Sequence, residues 1–185
     1  MEDIDIFDIN EGFWYKQQAV GTIPETRRLF CAGAGSAKDG SSHNVYVAYH
    51  TDSLHMQKQI ELTLIYYHHS YLYGGAATRD KSIGYGDVYI LTMPNFQWIK
   101  WWPQDPKERT APHNSLTCNV VKGHQMLIMG GYFPGQDACD VPLGFGVHNM
   151  DMSAYNGQNT LWVGYTKQAE EYLVPKSVVD LVGGG

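Results

Sequence analysis

The segment that decides the fold contains four short runs: Val88-Tyr89-Ile90-Leu91, Phe96-Gln97-Trp98-Ile99, Leu116-Thr117-Cys118-Asn119-Val120-Val121 and Gln125-Met126-Leu127-Ile128-Met129, closed by Gly130-Gly131. Each is short and apolar, and the first three are rich in β-branched or aromatic residues, which is strand composition. Turn residues separate them: Met93-Pro94-Asn95 after the first and Lys122-Gly123-His124 between the last two. Pro103-Gln104-Asp105-Pro106 reads as a loop, because proline has no N–H to give to a ladder. The Gly-Gly pair is expected to end the innermost strand, where backbones crowd and φ turns positive. Together the four runs are expected to form one small antiparallel sheet.

The same pattern recurs on both sides. Upstream, Asp5-Ile6-Phe7-Asp8-Ile9 is followed by Trp14, Pro24, Arg27-Arg28-Leu29-Phe30-Cys31-Ala32 and Tyr71-Leu72-Tyr73-Gly74-Gly75. Downstream, Asn149-Met150-Asp151-Met152 is followed by Leu161-Trp162, Pro175, Ser177-Val178-Val179 and Gly183-Gly184-Gly185. The first Gly-Gly pairs lie 56 residues apart and the next follows after 53. One tryptophan per unit (Trp14, Trp98, Trp162) is expected to fill the space between neighbouring sheets.

One segment breaks the period. Trp14 to Trp98 spans 84 residues, against 64 from Trp98 to Trp162. Leaving out residues 46–70 brings the first interval to 59 and joins His43-Asn44-Val45 to Tyr71. The chain is therefore expected to be one unit over 1–185 with an out-of-period insert at 46–70. The insert is either foreign to the repeat, such as a retained intron, or an extra hairpin with a strand over Ile60 to Tyr67.

Composition supports an all-β reading: 13 Tyr, 5 Trp, 6 Phe and 20 Gly, with no long run at helical spacing. Hydrophobic residues make up 43% and charged ones 17%, which excludes a disordered chain. The net charge is −6 and no basic run exceeds Arg27-Arg28, which argues against a surface that tracks nucleic-acid phosphates. Met1-Glu2-Asp3 opens without a basic and apolar leader, so no signal peptide is expected, and no apolar run is long enough to span a membrane. Of the three cysteines, Cys118 and Cys139 can form a disulfide in an oxidising compartment, with three buried thiols as the alternative.

These repeats resemble the kelch repeat, and most closely the kelch, galactose-oxidase-like proteins of filamentous fungi. The carriers are the Gly74-Gly75 and Gly130-Gly131 pairs, Asp87-Val88-Tyr89, Trp98, and the strand that follows His113 or Arg27-Arg28. The resemblance implies β-propeller blades, each a four-stranded antiparallel sheet. Propellers have about 4–8 blades, and this chain supplies about three. The expected architecture is thus an incomplete propeller, or one closed by another chain such as a second copy.

Several residues invite a chemical reading. His50, His55, His68 and His69 could bind zinc or copper, but no cysteine or carboxylate stands at metal spacing. The copper site implied by the galactose-oxidase resemblance needs paired tyrosines and histidines, and no motif transfers those ligands residue by residue. Cys31 and Cys118 are read as repeat-equivalent, which gives them a packing role. His113 aligns with Arg27 or Arg28 and reads as structural. Asp5, Asp87 and Asp151 read as equivalent strand starts. Gly33-Ala34-Gly35-Ser36 and Gly84-Tyr85-Gly86 open no helix and read as turns rather than phosphate loops. Trp101 and Trp102 are the binding candidates, as a loop pair that could stack on a sugar or a protein, with a contact between blades as the alternative.

The resemblance therefore implies a module that binds protein or carbohydrate through propeller loops, without a cofactor and without catalysis. The alternatives are a propeller-based oxidoreductase or small metabolic enzyme active as a closed oligomer, and a fragment of a larger membrane-anchored kelch protein with no function of its own. The absent leader points to the cytosol, the resemblance to a secreted or anchored parent, and the sequence leaves the compartment open.

Overall fold

The computed structural model describes residues 1–8, 10–37, 61–64, 69–79, 83–105, 112–134, 136, 138–139, 145–153, 161–167 and 171–182. The elements in chain order begin with β1 (Asp3–Asp8), β2 (Phe13–Gln18), β3 (Val20–Gly21), β4 (Arg27–Arg28), β5 (Cys31–Gly35), β6 (Glu61–Leu64), β7 (His69–Tyr73) and β8 (Ala76–Ala77). They continue with β9 (Val88–Thr92), β10 (Gln97–Trp102), β11 (Thr117–Val121), β12 (Gln125–Met129), β13 (Tyr132–Phe133), β14 (Ala138–Cys139), β15 (Val147–Asp151) and α1 (Lys176–Val182).

The fold is all-β and built of kelch-type blades. The complete one is an antiparallel meander, β5-β7-β9-β10, with β3 added in parallel on the β10 edge. Before it stands the β1–β2 hairpin and after it the β11-β12-β15 sheet. Val163 extends that last sheet by donating its N–H to Asn149.

The sheet boundary differs from the sequence expectation. The four runs from Val88 to Met129 do not share one sheet: β9 and β10 close a sheet begun by β5 and β7, and β11 opens the next. Gly74-Gly75 therefore follow the second strand of their sheet, not the innermost one. The reason is burial. Val88 to Leu91 is apolar at every position, so it needs cover on both faces. On one face Cys31, Tyr71, Tyr73, Val88 and Ile90 join a core with Met126, Ile128 and Met150 of the next sheet. On the other, Ala32, Leu72, Tyr89, Leu91 and Trp98 join a core with Ile4 and Ala19. Each fully buried aliphatic side chain contributes roughly 1.5–3 kcal/mol.

The repeat is exact enough in backbone geometry to fix equivalences. Gly74 and Gly75 have φ of 69° and 111°, and Gly130 and Gly131 have 62° and 113°. Leu29 and Ser115 share a positive φ, 57° and 58°. Gly74 donates to Asp87 O as Gly130 donates to Gly146 O. Arg27 thus corresponds to His113, and Asp87 to Gly146.

Three local expectations are corrected by the structure. Gly33-Ala34-Gly35 is not a turn but lies in β5. A Cβ on Gly33 would come within 2.8 Å of Val120 and Met126, so glycine is there to let the next sheet close in. Asp5 and Asp151 are not strand starts: Asp5 sits mid-strand, ion-paired to Lys16 at 2.9 Å, and Asp151 ends β15. Ser177-Val178-Val179 is helical rather than extended, with Val178 and Val179 both donating to Pro175 O. Within the segment 46–70, Glu61–Leu64 forms a strand, β6, beside β1. His50, His55 and His68 lie outside the described residues, and His69 opens β7.

Candidate functional site

The loops that lead into β5 and β11 and those that leave β7 and β12 gather at one end of the sheets. Backbone hydrogen bonds tie them together. Gly75 N donates to His113 O at 2.8 Å, Tyr85 N to Gly75 O at 2.8 Å, His113 N to Tyr85 O at 2.9 Å, and Ser115 N to Leu29 O at 2.9 Å. Backbone pairing of this kind ties the loops to one another and to the sheets that position them, as a recognition surface on a scaffold requires.

Arg27 anchors the first half. Its side chain is 1% exposed and donates from Nη1 to Asp87 Oδ1 at 2.5 Å and to Gly74 O at 3.2 Å. Its Nε donates to Glu25 O at 3.2 Å, and the guanidinium lies 4.0 Å over the Tyr85 ring. Tyr85 in turn donates its hydroxyl to Glu25 Oε2 at 2.7 Å. Burial and that carboxylate hold the Tyr85 hydroxyl above its ordinary pKa.

His113 anchors the second half and does for Gly130 what Arg27 does for Gly74. Its Nε2 lies 3.0 Å from Gly130 O and its Nδ1 3.3 Å from the Tyr73 hydroxyl. Nε2–H then donates to the carbonyl and Nδ1 accepts from Tyr73, a tautomer assigned from the network. The ring is fully buried and stacks on Phe133 at 4.3 Å and 10°. His148 stacks on Trp162 at 4.8 Å nearby. Arginine in one sheet and histidine in the next thus perform one task, holding the Gly-Gly turn against the strand that enters the sheet. Among the described residues no three His, Cys, Asp or Glu side chains gather as a metal site.

The structure places the sequence candidates elsewhere. Trp101 and Trp102 are 2% and 4% exposed, buried in the core between the two sheets, and offer no stacking face. Strand β10 runs on through them, so the expected loop pair is interior; Trp101 meets Tyr71 edge-on at 5.6 Å. Trp98 is buried against Tyr89, Trp162 is partly buried against Tyr73, and Trp14 is 48% exposed beside Phe7. Cys118 bonds to Cys31, Cα atoms 5.6 Å apart, and Cys139 is an exposed free thiol, so Cys118–Cys139 is not the pair formed. Sequence reading missed Tyr85, Glu25 and Phe133. The recurrence of Arg27 and His113 at one repeat position was the available signal for that end of the sheets.

No protein-family profile matches the chain. The chain is similar over its whole length to a kelch repeat-containing protein of Arthroderma benhamiae, at 33% identity over 206 residues. It spans 26% of that protein's length, about a quarter. Among the described residues no helix is long and apolar enough to cross a membrane.

Proposed function

As a homologue of a kelch repeat-containing protein, which its sheets and their register support, the chain is one that we propose to be part of a kelch propeller acting as an interaction module. Its partner engages the loop end built on Arg27 and His113. The observation that carries this reading is the backbone-linked loop set, which presents a fixed surface on rigid sheets. A protein partner is favoured over a carbohydrate. Exposed Ile83, Ile23 and Arg28 lie in or beside these loops, whereas Trp101 and Trp102, the residues suited to stacking on a sugar, are buried. The polar groups of Arg27, Asp87 and His113 are engaged in holding the loops, which supports binding rather than catalysis.

A photocrosslinking residue at Ile83, compared with one at exposed Lys122 on the opposite β11–β12 turn, tests this in producing cells. Capture of one protein from position 83 and none from 122 is expected. Equal capture from both, or capture from 122 alone, overturns the assignment of the loop end.

A further inference from the structure

The strands that enter the two neighbouring sheets, β5 and β11, lie side by side without a ladder. Each is an edge of its own sheet, and among the described residues no strand pairing joins one to the other. Three features hold them together. Gly33 lets Val120 and Met126 close in, leaving no room for a Cβ. Ser115 N donates to Leu29 O at 2.9 Å. The third is the bond between Cys31 and Cys118. Cys31 follows Leu29 by two positions and Cys118 follows Ser115 by three. The disulfide and the hydrogen bond thus close one small ring where the two strands begin.

The loop end rests on this ring. Gly75, which leaves β7, donates to His113 O, and His113, which leads into β11, donates to Tyr85 O. A Cβ on Gly75 would lie 3.0 Å from Arg28 O and 3.1 Å from Phe30 Cβ, so the turn sits against the residue that precedes Cys31.

We propose that Cys31–Cys118 is a redox latch on the loop end: its reduction by a dithiol parts the starts of β5 and β11 and uncouples the loops that Gly75, Tyr85 and His113 join. Its biological role rests on the reading of that end as the partner surface, and there it makes binding a property of the oxidised chain. The chemistry is thiol–disulfide exchange. A thiolate of the reductant attacks Sγ of Cys118, which is partly exposed, and Cys31, 3% exposed, leaves as a thiolate and takes up a proton. The reductant's second thiolate then displaces Cys118, which is protonated in turn. Two electrons pass, the chain gains two thiols and the reductant becomes a disulfide. Two thiols must stand apart at van der Waals distance, and a close-packed seam that excludes a Cβ at Gly33 has to give way to admit them.

Backbone amide resonances of the intact, isotope-labelled chain test the latch. They are recorded oxidised and then in excess dithiothreitol, at a temperature where circular dichroism shows both forms folded. Resonances of Gly75, Tyr85 and His113 are expected to shift on reduction, while those of Ile90, Leu91 and Gln97–Ile99 in the β9–β10 ladder hold. Shifts confined to Cys31, Cys118 and the residues opposite them, Tyr73 and Ile128, overturn the proposal. Cys118→Ala is expected to show the reduced loop-end pattern with or without reductant, and the oxidised pattern in that variant also overturns it. If Gly75, Tyr85 and His113 shift but a crosslinker at Ile83 captures no protein on the oxidised chain, the latch holds and the interaction reading fails.

Discussion

Cys31 and Cys118 bond across neighbouring sheets because they are one residue out of repeat equivalence. Cys31 lies opposite Tyr73, and its true counterpart, opposite Met129, is Thr117. Equivalent positions in successive sheets point the same way around the stack and cannot meet. A one-residue offset flips a side chain to the other face, so Cys118 points back at the sheet that carries Cys31. Reading the two cysteines as equivalent is therefore corrected by one position.

That offset makes a double prediction. Cys118→Ala loses about 2–4 kcal/mol of stability, since the bond closes a loop of 87 residues. Denaturant melts with and without reductant check it: the parent loses that amount on reduction and the variant is insensitive. Moving the thiol to Thr117→Cys in the Cys118→Ala background restores nothing, because that side chain faces away from Cys31. Bridge formation by this double variant would contradict the register.

The two Gly-Gly turns give a matched pair of substitutions. Gly74 and Gly130 share their φ, yet a Cβ on Gly74 meets His113 O at 2.5 Å while one on Gly130 meets nothing within 4 Å among the described residues. Asparagine tolerates this left-handed conformation. Gly130→Asn is expected to cost under about 1 kcal/mol, and Gly74→Asn more than about 2 kcal/mol, in the range of a forced overlap in a packed region. Urea melts of the two variants decide it.

Arg27 and His113 were both visible in the sequence as one repeat position, and the strands themselves were legible from their apolar runs and turn residues. The grouping of strands into sheets was not. A chain that repeats as strand three, strand four, strand one, strand two can be cut at any point with equal periodicity. Only the demand for cover on both faces of Val88–Leu91 fixes the cut, and that is a property of three-dimensional packing. For Trp101 and Trp102 the alternative reading, a contact between blades, is the one formed, and the loop reading fails for a related reason: after Trp98, strict alternation breaks at an irregularity between Lys100 and Trp102. Both indoles then turn inward, which no period of two anticipates.

Replacing Arg27 by alanine takes the guanidinium from the Asp87 carboxylate, which is 15% exposed, and from Gly74 O. The expected loss is about 3–5 kcal/mol, the range for breaking one side of a buried ion pair. Arg27→Ala with Asp87→Ala is expected to cost less than Arg27→Ala alone, because no unpaired charge remains. A thermodynamic cycle over the three variants measures this.

Alkaline stability follows from the buried Tyr71 and Tyr172. Tyr71 donates to Met152 O at 2.6 Å, and the two hydroxyls lie 2.8 Å apart. Burial pushes both well above the ordinary tyrosine value of 10.0. The unfolded chain releases these protons near that value and the folded chain does not. Their contribution is thus complete below about pH 10 and declines as pH rises beyond it. Absorbance of tyrosinate and of folded-state circular dichroism should change together for this pair. In Tyr71→Phe with Tyr172→Phe the alkaline transition moves to higher pH; an unmoved transition contradicts the argument.

The central claim is that the chain's sheets are cut between β10 and β11, so that β5, β7, β9 and β10 form one blade. Cross-strand backbone proton contacts in solution test this most directly. The account predicts contacts of Ser70–Tyr73 with both Cys31–Ala34 and Val88–Leu91, and of Gln97–Ile99 with Ile90–Thr92. A ladder joining Gln97–Trp102 to Thr117–Val121 would contradict it.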